Sequence, residues 1–327
     1  MRGSEGGRLV MVNGQNSPLA ARYRNFAHSV ILVGGIGCIT ALCAYMLLGR
    51  SGVIWTFTLI LVLLLLSPRI APEVIIRMYG AQRVGVFGNG LLRTVEELAH
   101  RAGLPAVPRV YVIPSPILNA FATGTQHDSI IALTHGMLTT LSGREIVGVL
   151  AHEMAHIRHN DLWVMNLADT LSRVTHLMSM AGVLLFVINL PLLFMGGAQI
   201  PWLGIILLYF APTISSLLQL GLSRAREYGA DLEGARLAGD PEGLVSALAK
   251  IERYQGGMWE KVFMPGRRVP VPSILRTHPP TEERIARLRA LNQPQREAVR
   301  EVAVTGLPGH FQLPRPRPSY RISGLWY

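Results

Sequence analysis

The chain has 327 residues, of which 50% are hydrophobic and only 16% are charged, a balance that favours a membrane protein over a soluble one. Its formal net charge of +11 comes almost entirely from arginine, because Lys250 and Lys261 are the only lysines, and this suits an anionic cytoplasmic leaflet. We expect no nucleic-acid partner, since the arginines are scattered and no RNA- or DNA-binding motif accompanies them.

Residues 1–28 carry four arginines against one acidic residue, Glu5. The apolar stretch behind them is too long for the hydrophobic core of a signal peptide. We therefore interpret residues 1–28 as a cytoplasmic N-terminal arm and the following stretch as a retained membrane anchor.

A first transmembrane hairpin is predicted over residues 29–70. Between residues 25 and 68 the only charged side chain is Arg50, which lies beside the turn former Gly49. The pattern predicts two spans, at about residues 29–48 and 53–70.

The segment after this hairpin mixes helical and strand patterns. A helix is predicted over residues 94–102, and three short strands, which we expect to form a small antiparallel sheet, over residues 109–113, 118–123 and 129–133. Ser142 and Glu145 form a capping box that opens another helix. That helix is predicted to run through His156 towards Trp163.

A second transmembrane hairpin is predicted over residues 174–223, which contain no Asp, Glu, Lys or Arg. Gly196, Gly197 and Pro201 interrupt it, giving spans at about residues 177–194 and 200–222. Because arginine is concentrated outside the spans and near the N-terminus, the positive-inside rule places both termini and the charged segments in the cytoplasm.

The predicted fold is therefore α+β, with four transmembrane helices and a mostly helical domain that carries the small antiparallel sheet. Residues 71–173 and 224–295 form this one domain, split by the second hairpin. Residues 296–327 are predicted to be a basic, flexible tail.

The candidate chemistry begins with His152-Glu153-Met154-Ala155-His156, in the middle of the capped helix. Histidines four residues apart lie on one helical face, so their imidazoles can converge on one tetrahedral metal ion. Glu153 lies beside them and can take a proton from a water on that metal. The charged residues of the same helix would be costly inside lipid, which puts the site at the membrane surface.

A third ligand is expected from the segment directly after the last span. On a helix Glu227 and Asp231 share one face, so Glu227 can bind the metal while Asp231 accepts the N–H of a ligating histidine. The alternative is a pair of acidic residues that solvate a helix surface. Asp161 either braces the end of the histidine helix or is solvated, and we favour solvation.

These motifs resemble the HtpX family of membrane-bound zinc endopeptidases, which is distantly related to the CAAX prenyl proteases. The resemblance rests on the histidine helix, on the membrane hairpin inserted after it, and on three further segments, at residues 119–124, 223–231 and 277–285. It implies one Zn²⁺ per chain, polypeptide substrates, and a location in the inner membrane with the catalytic domain facing the cytoplasm. It also implies quality control of misfolded membrane proteins.

Carried over to this chain, the resemblance makes His152, His156 and Glu227 the zinc ligands and Glu153 the general base. His278, before two prolines, either stabilises the oxyanion or reaches the metal, or else has a structural role. An extended substrate is expected to pair with the edge strand that contains Asn119, Ala120, Phe121 and Ala122.

Overall fold

The computed structural model describes residues 18–85, 89–194, 202–263 and 280–291. Its elements are α1 (Pro18–Met78), β1 (Gln82–Arg83), α2 (Asn89–Ala102), β2 (Arg109–Ile113), β3 (Ala120–Gly124), β4 (Ser129–Thr134), α3 (His135–Thr140), α4 (Gly143–Arg158), α5 (Asp161–Phe194), α6 (Trp202–Ala238), α7 (Pro241–Phe263) and α8 (Thr281–Arg289). The described chain is mostly helical with one small sheet, as the sequence predicts.

Within the described residues, three helices are long and apolar enough to cross a membrane: Ala27–Leu65 within α1, Asp161–Ile188 within α5 and Leu203–Ala238 within α6. Their outward faces carry large hydrophobic side chains, including Trp55 at 71% exposure and Leu203 at 77%. Apolar surface of this extent is stable only in lipid or against a partner. The chain is therefore an integral membrane protein.

The predicted turn beside Arg50 is visible as a reversal within α1. Gly49 has φ 65° and ψ −153°, a backbone conformation that a helix does not contain. A Cβ on Gly52 would lie 2.6 Å from the carbonyl oxygen of Ala44, whereas residues eight apart in a continuous helix are separated by about 12 Å. The chain thus folds back on itself at Gly49.

Helices α5 and α6 extend well beyond the predicted spans, at the N-terminal end of α5 and the C-terminal end of α6. The predicted spans lie largely inside these helices, but the apolar pattern does not predict the helix ends, because polar helical residues follow without a break. The predicted turn at Gly196, Gly197 and Pro201 lies outside the described residues. Helix α6 is continuous from Trp202 to Ala238, so a single helix contains both the predicted apolar span and Glu227.

The sheet is mixed, so the prediction of an antiparallel sheet was wrong. Its order is β1-β2-β4-β3, and β2 pairs with β4 in parallel, while β1 and β3 pair with their neighbours antiparallel. The tight turn between β3 and β4 makes them a hairpin. The connection between β2 and β3 places β3 at the edge of the sheet. The hairpin then brings β4 back between β2 and β3. All six residues of β4 are buried at the centre.

Helix α4 begins at the predicted capping box: Ser142 accepts from the N–H of Glu145, whose carboxylate accepts from the N–H of Ser142. It ends at Arg158, earlier than predicted, because Asn160 takes the left-handed conformation with φ 54° and α5 starts at Asp161. Most of α4 is buried, and the sheet, α2, α6 and α7 surround it.

Candidate active site

Three side chains from α4 and α6 converge on one point. The Nε2 atoms of His152 and His156 are 3.2 Å apart. The Glu227 carboxylate oxygens lie 3.6 Å from Nε2 of His152 and 3.8 Å from Nε2 of His156. Within the part of the chain that the structure describes, this is the cluster of His, Cys, Asp and Glu side chains able to hold a metal ion.

The spacing of these donors fits a tetrahedral zinc ion. Ligands at about 2.0–2.1 Å from zinc are separated from each other by about 3.4 Å along the edges of the tetrahedron. The three observed separations, 3.2, 3.6 and 3.8 Å, lie around that value. Two neutral imidazoles and one carboxylate leave a fourth position open, which is the donor set of a catalytic rather than a structural site.

Glu227 reaches the histidines because α6 packs directly on the backbone of α4. A Cβ on Gly234 would lie 2.9 Å from the Cα of His152 and 3.0 Å from its backbone nitrogen. No residue with a side chain fits that approach without a shift of one helix. Glycine at this position therefore sets the distance between the helix that carries the histidines and the helix that carries Glu227.

His156 is fixed by an aspartate from the start of α5. Its Nδ1 lies 2.8 Å from Oδ2 of Asp161, and the other oxygen of Asp161 accepts from Nη1 of Arg226 at 2.6 Å. Burial lowers the pKa of His156, but the hydrogen bond to Asp161 and the charges of nearby carboxylates outweigh it and raise that pKa to about 9. Asp161 is 2% exposed, so the solvated interpretation of this residue was wrong.

His152 is held by Asp231, one helical turn after Glu227. Nδ1 of His152 lies 3.1 Å from Oδ1 of Asp231, although its N–H is not directed well enough for a hydrogen bond. Burial opposes ionisation of Asp231, but hydrogen bonds from Arg284, together with His152, hold its pKa below the ordinary value. Asp231 is thus an ionised carboxylate on the far side of the imidazole.

Arg284 on α8 connects the acidic groups of the site. Its Nε and Nη2 donate to the two oxygens of Asp231 at 2.7 and 2.6 Å, and its Nη1 lies 3.0 Å from Oε2 of Glu227. The guanidinium is buried and comes within 3.5 Å of Nε2 of His152. A bidentate pair of this kind fixes the carboxylate in orientation as well as in charge.

Glu153 lies on α4 between the two histidines and is half-buried. Its negative charge raises the pKa values of both His156 and Arg284, which places it beside the donor cluster. A carboxylate in this position can accept a proton from a water at the open position.

Of the predicted substrate-binding residues, three lie in β3, the edge strand of the sheet, and Asn119 directly precedes it. Thr125 and Asp128 exchange both backbone hydrogen bonds, and the N–H of Thr134 donates to the carbonyl of Asn119. By the alternation of an antiparallel pair, the backbone groups of Asn119 and Phe121 point towards β4. Those of Ala120 and Ala122 point to the open edge. His278 lies outside the described residues.

Three residues that position the site were not identified from the sequence: Gly234, Arg284 and, in its role, Asp161. The sequence signals at Gly234 and Arg284 are weak, because a glycine or an arginine within a helix can have many roles. Asp161 was recognisable only together with the break at Asn160, which makes it the first residue of a new helix.

The comparisons with known proteins agree with this geometry. The model of peptidase family M48 matches residues 89–292. A protease HtpX homolog of Ralstonia nicotianae is 36% identical over 288 residues, 82% of this chain and 97% of that protein. One of Paraburkholderia phytofirmans is 34% identical over 283 residues, 81% and 96% of the two chains.

Among solved structures, Ste24p of S. mikatae has a TM-score of 0.52 at 20% identity, with 83% of this chain and 67% of that chain covered, which is a likeness of fold. The family match spans both the histidine helix and the segment that contains Glu227, Asp231 and Arg284. The chain is a membrane metallopeptidase and belongs to peptidase family M48.

Proposed function

We propose that the protein is a zinc-dependent endopeptidase that cleaves polypeptides at the cytoplasmic face of the inner membrane. The observation that carries the proposal is the convergence of His152, His156 and Glu227 with the separations of a tetrahedral zinc site. Glu153 beside them supplies the group that peptide hydrolysis needs and that a structural zinc site lacks.

In this mechanism His152, His156 and Glu227 would hold the ion, which would supply a Lewis acid for the scissile carbonyl and would activate a water. The carboxylate of Glu153 would accept a proton from the attacking water and deliver it to the leaving amine. Asp161 and Asp231 keep the imidazoles in orientation and in the tautomer whose Nε2 is free for the metal.

We assign Arg284 a positioning role in the same mechanism. Its guanidinium neutralises two buried carboxylates, Asp231 and Glu227, which would otherwise repel each other next to the metal. It also ties α8 to the centre. His278 stands two residues before Pro280, where the described part of that segment begins, and we propose that it stabilises the oxyanion.

The substrate is proposed to bind as an extended strand along the open edge of β3. Ala120 and Ala122 offer outward backbone donors and acceptors, while their side chains pack on the same core as α4. A substrate paired there would run beside the helix that carries the histidines. Replacing Ala122 with Pro removes an outward N–H but no hydrogen bond to β4, so kcat/KM should fall while thermal stability changes little. Phe121→Pro, which breaks a bond to β4, is the destabilising control.

For the topology we propose four spans, with the reversal at Gly49 dividing α1 into two of them. The mainly apolar segment Ala27–Leu65 has 39 residues, about twice what one crossing needs, which supports two spans. The arginine distribution then places both termini and the catalytic domain in the cytoplasm. A reporter inserted at Gly196 should be found on the outer side, and one at the C-terminus in the cytoplasm.

Misfolded membrane proteins are the proposed substrates, and quality control the proposed role. Support comes from the resemblance in sequence and from a site that lies where α6 leaves the membrane. The test of the function is cleavage of casein by detergent-purified protein. Wild type should cleave, lose activity with a chelator and regain it with zinc, whereas Glu153→Gln should be inactive throughout. Cleavage by Glu153→Gln at the wild-type rate would refute the mechanism.

A further inference from the structure

The first half of α5 carries polar side chains at a depth where the neighbouring helices are apolar. This depth follows from contacts between the helices. Oγ1 of Thr175 lies 2.8 Å from Oγ1 of Thr40 in α1. Oγ of Ser172 lies 2.9 Å from Oγ of Ser215, within the apolar part of α6. Thr40 is about 16 Å along α1 from Ser29, where the first predicted span begins. This level of α5 is therefore near the middle of that span.

Apolar packing gives the same alignment of the helices. One buried cluster combines Leu171 and Val174 of α5 with Ile36 and Ile60, which lie on either side of the reversal in α1. Around this cluster, α1 and α6 turn large apolar side chains outward: Leu59 and Leu61 beside Ile60, and Ile214 and Leu217 beside Ser215, are exposed. Because apolar surface of this extent is stable in lipid, the hydrocarbon of the membrane covers this level of the bundle.

The outward face of α5 at this level is charged instead. Asp169, Arg173 and His176 recur at helical spacing, so they lie on one face. The side chain of Arg173 is 77% exposed and that of Asp169 is 42% exposed. Nε of Arg173 donates to Oδ2 of Asp169 at 2.7 Å, and Nε2 of Gln219 in α6 donates to Oδ1 at 3.5 Å. We call these four residues the polar stripe.

A polar surface of this kind is costly next to lipid. Charged side chains within membrane spans almost always face protein or a water-filled cavity, and they mark functional sites. Among the residues that the structure describes, the Nη atoms of Arg173 have no partner. Because the stripe holds a carboxylate, a guanidinium and an amide, it can both accept and donate hydrogen bonds. It therefore fits a polar group that another membrane-embedded segment carries.

The polar stripe lies on the helix that begins at the metal centre. Asp161, the first residue of α5, contacts His156 and is about 12 Å along the helix from Asp169. The same helix contacts β3, the edge strand along which the substrate is proposed to bind. A polypeptide that leaves the membrane along α5 is therefore close to that edge.

We propose that the polar stripe recognises membrane-spanning substrates that carry a polar residue inside the bilayer. This inference rests on the proposed peptidase function and specifies its substrate class. An amide or hydroxyl in the span of the substrate hydrogen-bonds to Asp169 and Arg173, and the cytoplasmic segment that follows reaches β3. A correctly folded membrane protein turns such residues towards its own interior, so the stripe selects proteins in which they are exposed.

The test uses the full-length protein in proteoliposomes and a model substrate with one span and an unstructured cytoplasmic segment. The span consists of leucine and alanine, either alone or with one central Asn. Wild type should cleave the Asn version with about 3- to 20-fold higher kcat/KM, mainly through KM. This ratio cancels any change in the metal centre itself. It should fall to about 1 in Asp169→Leu/Arg173→Leu, which removes both charges. Arg173→Gln alone should lower the ratio in part, and it serves if the double variant does not fold.

Thr58→Leu is the matched control, because this exposed hydroxyl lies two residues from Ile60 and donates within its own helix to the carbonyl of Ile54. It should keep the wild-type ratio. A ratio of 1 in the wild type, or an unchanged ratio in both stripe variants, would overturn the proposal. So would disulfide cross-linking that joins two Arg173→Cys chains to each other rather than to a cysteine in the span of the substrate, since the stripe would then be a contact between copies. Failure of the wild type to cleave casein would instead contradict the peptidase function.

Discussion

The two histidines of the centre each contact a carboxylate, but the two carboxylates lie at different distances from their histidines along the chain. Each has an aspartate at Nδ1, and each aspartate has an arginine behind it: His156, Asp161 and Arg226 in one half, His152, Asp231 and Arg284 in the other. The first aspartate lies five residues from its histidine, at the next helix start. The first half takes only its arginine from α6, whereas the second takes its aspartate from α6 and its arginine from α8.

The orientation of His156 therefore depends mainly on local structure, and that of His152 on tertiary packing. The pair of His156 and Asp161 forms as soon as α4 stops and α5 begins, and its contact is a direct hydrogen bond of 2.8 Å. The pair of His152 and Asp231 is longer, at 3.1 Å, and Arg284, which holds Asp231, lies a further 53 residues along the chain. We expect the distant half to fail first when packing is disturbed.

The largest effect is expected from Arg284→Gln, which removes the arginine of the distant half. Two buried carboxylates then lose their cation, and breaking a buried ion pair of this kind costs about 3 to 5 kcal/mol. Thermal unfolding should shift strongly, and zinc affinity should fall with it. Arg289→Gln, an exposed arginine of the same helix, is the control. An Arg284→Gln protein as stable as this control would show that the distant half contributes nothing.

Asp161→Asn tests the local half. The hydrogen bond that fixes the tautomer of His156 is weakened, while the helices stay docked. We expect about a 10- to 100-fold loss of zinc affinity, with a loss of stability smaller than that of Arg284→Gln because the variant breaks one ion pair, that with Arg226, rather than two. Zinc titration and thermal unfolding, measured on the same sample, separate the two. If stability fell as far as in Arg284→Gln, the distinction between the halves would be wrong.

Gly234→Ala probes the contact between α6 and α4 directly. The added Cβ meets the backbone of His152 at 2.9 Å, so one helix must move. Overpacking of this kind costs about 1 to 3 kcal/mol. The shift should weaken zinc binding through Glu227 while leaving the contact of His156 with Asp161 intact. Gly221→Ala, whose Cβ would meet only a leucine side chain at 3.6 Å, is the control.

The smallest effect concerns Glu145, at the end of α4 away from both halves. Burial raises its pKa, but hydrogen bonds from Lys250, Ser246 and Ser142 outweigh burial and lower it. A lowered pKa contributes stability that is present above about pH 4.5 and is lost as the pH falls through the folded-state value. Glu145→Gln should remove that acid dependence and cost about 1 kcal/mol at pH 7. Unfolding curves of both proteins between pH 3 and 7 test this, and an unchanged acid limb would contradict it.

The features that the sequence predicts are local ones, and those that it does not predict depend on tertiary packing. The histidine spacing, the capping box and the shared face of Glu227 and Asp231 are features of single helices, and local periodicity reveals them. The mixed order of the sheet, the approach at Gly234 and the reach of Arg284 depend on elements distant in sequence. Asp161 lies between these cases, since its position depends on the conformation of the single residue Asn160.

The most direct test of the account is zinc content measured together with proteolysis in two variants of the centre. Glu227→Ala removes a ligand, so zinc per chain, determined by mass spectrometry, should fall along with casein cleavage, and added zinc should restore part of both. Glu153→Gln keeps all three ligands, so zinc should remain stoichiometric while cleavage is lost at any zinc concentration. Stoichiometric zinc with near-normal cleavage in Glu227→Ala would contradict the assignment of the third ligand.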